Sequence, residues 1–172
     1  MKPILSQAPS EADLEAAAGR LGERLRELGW RMATAESSTG GLIGHAITMV
    51  PGASDYYVGG VISYSNLAKE VQLHVPHELI EAHGAVSADV AAAMADGARQ
   101  RFAVELAVAV TGIAGPEGGT AGKRIGLHYV AAVRRGHEAV VEERVFTHDR
   151  EGNRTAAALL ALELALRVAS AA

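Results

Sequence analysis

The stretch Arg31-Met32-Ala33-Thr34-Ala35-Glu36-Ser37-Ser38-Thr39-Gly40-Gly41 decides the fold. Its first half, Arg31 to Ala35, is a short apolar run that reads as a strand. Three hydroxyls and two glycines then lead into Gly41–Met49, which reads as a helix beginning near Ser38 or Thr39 and stopping at Pro51-Gly52. A strand that gives way to a helix through a glycine-rich loop opens an α/β arrangement. Further along, Val58–Tyr64 and Glu105–Thr111 read as strands, and Ala68–Leu73, Pro76–Ala82 and Ala88–Phe102 as helices, the last capped by Ser87 with Asp89 in its first turn. Ile125–Val133 and Ala139–Phe146 read as two strands joined by Arg134-Arg135-Gly136-His137, a spacing that makes an antiparallel pair. Helices close both ends: one from Ser10 to Gly29 with a capping pair in Ser10 and Asp13, the other from Gly152 or Asn153 to about Val168. The predicted fold is a three-layer α/β/α sandwich with a mixed, mostly parallel sheet ending in an antiparallel hairpin. Residues 1–9 read as a flexible N-terminal segment and 10–172 as a single domain.

Composition narrows the function. The chain has a net charge of −4 and a pI near 6.0, without the clustered basic residues of a nucleic-acid footprint. It has no cysteine, which removes disulfides, thiolate catalysis and zinc–thiolate sites. No apolar run reaches the ~20 residues of a membrane span, and Met1–Pro9 has no apolar signal core. A cytoplasmic protein without nucleic-acid or membrane partners is expected.

In open α/β sheets, ligands gather at the carboxyl ends of the strands. Three loops leave strands there: Glu36–Gly41, Tyr64–Lys69 and Thr111–Gly119. Hydroxyls before a helix serve most often as caps; here they can also supply a nucleophile or hold a phosphate. Ser38, Thr39, Gly40 and Gly41 place N–H groups near a helix start, where anions bind. Lys69 favours the nucleophile. Lysines number three against thirteen arginines, and only a lysine, once desolvated, becomes a neutral base for serine. The third loop adds Thr111 and the N–H groups near Gly112, Ala114 and Gly115. Arg150 and Arg154, one helical turn apart, suit a phosphate or carboxylate, or pair with Asp149 or Glu151. His74 and His77 have no third ligand placed beside them by sequence, so neither a metal nor a cofactor is expected. The final helix is apolar on most sides; a subunit interface or core burial explains it equally.

Glu36-Ser37-Ser38-Thr39-Gly40-Gly41, Tyr64-Ser65-Asn66 with Lys69, His83-Gly84-Ala85-Val86-Ser87, and Thr111-Gly112-Ile113-Ala114-Gly115-Pro116 with Gly118-Gly119 occur in this order along the chain. Together with Phe146, Asp149-Arg150 and Arg154, they resemble the CinA C-terminal domain family over roughly residues 10–170. The resemblance implies a stand-alone nicotinamide-nucleotide amidase, without the N-terminal domain some relatives carry. Such an enzyme converts nicotinamide mononucleotide to nicotinate mononucleotide and ammonia, and needs no metal. It implies Ser37 as nucleophile and Lys69 as base. A homo-oligomer, a dimer, is expected. Tyr64 is expected to orient Lys69 or relay a proton. Thr111, or N–H groups of Ser38–Gly41, would hold the tetrahedral oxygen. The nucleotide phosphate would be held by N–H groups of the 112–119 loop, near Gly112, Ala114 and Gly115, or by Arg150 of this subunit or of a neighbour. Two departures stand out. The family usually has cysteine where this chain has Ser38, and glycine is common where it has His148. A binding module without turnover, and an amidase or esterase for another small molecule, are the competing readings.

Overall fold

The computed structural model describes residues 7–172; most of the segment expected to be flexible at 1–9 lies outside the described residues. One sheet of five strands carries the fold: β1 (Met32–Glu36), β2 (Tyr57–Ile62), β3 (Leu106–Gly112), β4 (Leu127–Arg134) and β5 (Val140–Val145), in the spatial order β2-β1-β3-β4-β5. β1 runs parallel to both β2 and β3, while β4 is antiparallel to its two neighbours. Four of the five strands therefore point the same way, and the last two form the hairpin expected from their spacing.

Helices cover both faces. α1 (Glu11–Leu28), α2 (Leu42–Met49) and α6 (Arg150–Ser170) lie on one, and α3 (Asn66–Leu73), α4 (His77–His83) and α5 (Ala88–Phe102) on the other. Alternation along the central strands feeds the two cores: Leu106, Val108 and Val110 of β3 face α1 and α6, and Ala107 and Ala109 face α5. The small residues on the α5 side let Val90, Ala91, Met94 and Ala95 approach the sheet closely. α1 starts on a capping box in which the Ser10 hydroxyl accepts from Asp13 N–H and the Asp13 carboxylate accepts from Ser10 N–H; it stops at Gly29, whose φ of 65° suits glycine. Much of the apolar content of α6 is buried within the chain, where Ala157, Ala161, Leu162 and Ala165 are fully buried, while Leu159, Leu160 and Leu166 are only partly covered.

Several boundaries differ from the sequence reading: α3 and α6 begin at least two residues early, at Asn66 and Arg150, and two others lie beside the strand-end loops. α2 begins at Leu42, not at Ser38 or Thr39. The chain spends residues 37–41 in a turn, with Gly40 and Gly41 at φ of 62° and 105°, a region open to glycine at little expense. β2 ends at Ile62 rather than Tyr64, because the Ser63 and Tyr64 carbonyls turn toward the Lys69 ammonium.

Candidate active site

The carboxyl ends of β1, β2 and β3 lie side by side, so the three loops that leave them converge. Between them is a cavity of about 270 Å³ whose wall includes Ser37, Ser38, Tyr64, Asn66, Lys69, Thr111, Gly112, Ala114, Gly115 and Arg150. Of the twelve residues expected to form the site, nine meet there. Thr39, Gly40 and Gly41 are not on the wall.

Their displacement has a cause in Glu36, the residue just before the serine. Its buried carboxylate accepts from the Thr39 hydroxyl (2.6 Å) and from the N–H groups of Gly41 (3.0 Å), Ile43 (3.1 Å) and Gly44 (2.9 Å). A carboxylate at a helix N-terminus satisfies donors and complements the helix dipole at once. Of the N–H groups expected to bind an anion there, that of Gly41 is already taken by Glu36 and that of Gly40 by the Ser37 carbonyl.

Lys69 projects from α3 toward Ser37, almost wholly buried at 1% exposure. Its Nζ lies 3.0 Å from Ser37 Oγ, 2.8 Å from the Ser63 carbonyl and 3.5 Å from the Tyr64 carbonyl. No carboxylate reaches it, and desolvation lowers its pKa from 10.5 to about 8. In the neutral form two amine hydrogens go to the two carbonyls, and the lone pair is left for the Ser37 hydroxyl. An amine in that position can accept the serine proton.

Two side chains do not occupy the positions expected of them. The Tyr64 hydroxyl points away from Lys69 and accepts from the Arg150 guanidinium at 3.3 Å; only the Tyr64 backbone carbonyl approaches the lysine. The phenol is therefore a neighbour of Arg150, not a relay to Lys69. The Thr111 hydroxyl donates to the Ala85 carbonyl at 2.8 Å, which leaves it without a hydrogen for an oxyanion. The donors still available lie on the backbone. Among the described residues, no acceptor is found for the N–H groups of Ser38, Thr39, Ala114, Gly115, Glu117 or Gly118. The Ser38 hydroxyl, nearly buried on the pocket wall, is likewise unpartnered.

The start of α6 ties these loops together. Arg150 donates to the Gly115 carbonyl (2.7 Å), Asn153 Nδ2 to the Ala114 carbonyl (3.0 Å), and Arg154 to the carbonyls of Ser38 (3.2 Å) and Thr39 (2.9 Å). Neither arginine pairs with Asp149 or Glu151: Asp149 caps α6 by accepting from Gly152 N–H. His148 does not take the positive φ that would demand glycine, and its N–H donates to Asn153 Oδ1 at 3.0 Å. Glu36 and Asn153 were not singled out as site residues from sequence; Glu36 preceding a hydroxyl-rich turn and a helix was the one local signal available. His77 lies between Glu70 and Glu81 on the surface, and no group of three or more metal-ligating side chains occurs among the described residues. No helix among them is long and apolar enough to cross a membrane.

Fold and site together define an α/β domain with a buried lysine–serine pair at its strand-end pocket. Residues 14–169 match the CinA C-terminal domain model, and the chain belongs to that family. It is 50% identical to a CinA-like protein of Syntrophobacter fumaroxidans over 148 residues, covering 86% of this chain and 35% of that protein. It is 43% identical to a putative competence-damage inducible protein of Symbiobacterium thermophilum, covering 93% of this chain and 42% of that one. The chain therefore spans well under half the length of these relatives. Among solved structures, the competence/damage inducible protein CihA of Agrobacterium tumefaciens superposes with a TM-score of 0.89 at 39% identity, covering 96% of this chain and 99% of that one.

Proposed function

We propose that this domain is a nicotinamide-nucleotide amidase, hydrolysing the carboxamide of nicotinamide mononucleotide to nicotinate mononucleotide and ammonia. The observation that carries the reading is the buried, carboxylate-free Lys69 amine at 3.0 Å from Ser37 Oγ. Neutral Lys69 takes the hydroxyl proton as Ser37 Oγ bonds to the carboxamide carbon. The carbonyl oxygen becomes an oxyanion, received by the unpaired N–H group of Ser38 on the pocket wall. The C–N bond then breaks, and the Lys69 ammonium returns its proton to the departing nitrogen, which leaves as ammonia. Water adds to the resulting ester, gives a proton to Lys69, and releases the acid while Ser37 regains its hydrogen.

The same pocket offers a place for the phosphate. Arg150 and the free N–H groups of Ala114, Gly115, Glu117 and Gly118 present positive charge and donors to an anion. Arg154, held by two carbonyls, serves the loop instead. Incubating the purified protein with nicotinamide mononucleotide, with and without a chelator, tests the reading. Equal amounts of ammonia and nicotinate mononucleotide, unaffected by the chelator, are expected. Tight binding without ammonia would replace the amidase by a binding module. Release from simple amides but not from the nucleotide would replace the substrate.

A further inference from the structure

The nucleophile and Thr111 are neighbours by register. Glu36 of β1 stands opposite Val110 of β3, and the Ser37 N–H continues that ladder by donating to the Val110 carbonyl at 3.0 Å. The next residues, Ser37 and Thr111, therefore lie abreast, their backbones one strand spacing, about 4.8 Å, apart. Two residues earlier, Ala35 and Ala109 both face α5, so Ser37 and Thr111 point to that same face. α3 brings Lys69 to it from the other side, where the lysine holds the Ser63 and Tyr64 carbonyls just beyond the end of β2. In the order β2-β1-β3, Ser37 thus stands between the lysine and Thr111.

The polarity of the Thr111 hydroxyl is fixed. A threonine hydroxyl has one hydrogen, and here it goes to the Ala85 carbonyl, which can only accept. On the cavity wall, the oxygen is left with lone pairs and no donor. Acceptors of that kind are scarce at this site. Loop carbonyls around the cavity are committed: Ser63 and Tyr64 to Lys69, Ala114 to Asn153 and Gly115 to Arg150. Asn66 and Glu117, also on the wall, are exposed side chains. The unpartnered Ser38 hydroxyl keeps its hydrogen and can act either way.

We infer that Thr111 is a specificity-determining residue, whose oxygen accepts an N–H of the substrate carboxamide and so selects an amide over an ester. The inference rests on the amidase reading above. A carboxamide nitrogen over Ser37 carries two hydrogens. Donating one to Thr111 on the β3 side leaves the lone pair that develops on this nitrogen turned toward Lys69 on the β2 side, the source of the proton for the departing ammonia. An ester oxygen in the same place has no hydrogen to give and sets lone pair against lone pair. The carboxylate of the acid product meets the same repulsion, which favours its release.

The test compares kcat/KM for nicotinamide mononucleotide with that for the methyl ester of nicotinate mononucleotide, in wild type, Thr111→Val and Thr111→Ser. Both substrates give the same acid, whose formation is the readout. Valine keeps the shape of the side chain and removes its oxygen. The amide-to-ester ratio should fall about tenfold or more in the valine variant and stay within about threefold of wild type in the serine variant. Loss of the Ala85 contact alone would slow both substrates alike and leave the ratio in place. An unmoved ratio with valine therefore overturns the inference, as does a serine variant that loses the ratio as fully as valine. The wild type judges the amidase reading itself. No ammonia from nicotinamide mononucleotide would remove both, whereas ammonia release with an unmoved ratio in the valine variant removes the inference alone.

Discussion

The amine of Lys69 sets a pH dependence that can be worked out from its surroundings. Burial without a carboxylate partner lowers its pKa to about 8. Only the neutral form can take the serine proton, so at pH 7 about one molecule in eleven is active and at pH 9 about ten in eleven. kcat/KM for nicotinamide mononucleotide should therefore rise about tenfold between pH 7 and pH 9, with a midpoint near 8, because this ratio reports groups of the free enzyme. The nucleotide phosphate does not blur the curve, since its second ionisation, with a pKa of about 6, is essentially complete above pH 7. The assay is initial-rate ammonia release in buffers of constant ionic strength, with wild type beside Lys69→Arg. The arginine variant should lose at least about a hundredfold in rate and show no midpoint, because a guanidinium stays protonated. A flat wild-type profile from pH 6.5 to 9.5, or the same midpoint in the arginine variant, would refute the base assignment.

Other consequences follow from the same contacts. Between the unfolded value of 10.5 and the folded value of about 8, the unfolded chain binds more protons at Lys69, so stability rises with pH across that window. Relative to Lys69→Met, the wild type should gain about 3 kcal/mol between pH 7 and pH 11, measured by urea unfolding at both. Glu36→Ala removes the acceptor of one hydroxyl and three N–H groups. It should destabilise the fold by about 3 kcal/mol in the same assay, and a loss below about 0.5 kcal/mol would mean the turn holds without it. Arg150→Ala should raise KM about tenfold with little change in kcat, since a phosphate contact is made equally in ground and transition states.

Where periodicity and caps were strong, the chain was legible. The two strands of the hairpin, α5 with its Ser87 cap, and α1 with its capping box and terminal Gly29 lie within a residue or two of where the sequence put them. The three loops were expected to converge if their strands were parallel and adjacent, a condition that the order β2-β1-β3 meets. The misplaced start of α2 has a specific cause: hydroxyls before an apolar helix look like caps, and the position of Glu36 before the turn is a weak local signal that it reaches forward to take the helix donors instead. The orientation of Tyr64 and the commitment of the Thr111 hydroxyl to Ala85 depend on partners 86 and 26 residues away. Arg154 illustrates the same limit. Its neighbours Asp149 and Glu151 invite an ion pair, yet it donates to carbonyls more than a hundred residues earlier. Local pattern specifies elements, whereas the partners that fix side-chain direction at the pocket are long-range.

The central claim is that Ser37 Oγ is the atom that attacks the amide. Its most direct test is the rate of ammonia release from nicotinamide mononucleotide by Ser37→Ala, with the melting temperature measured alongside. A fall of about a thousandfold or more at unchanged melting temperature is expected. Release within a few-fold of wild type would contradict the claim and move the nucleophile to the unpartnered hydroxyl of Ser38.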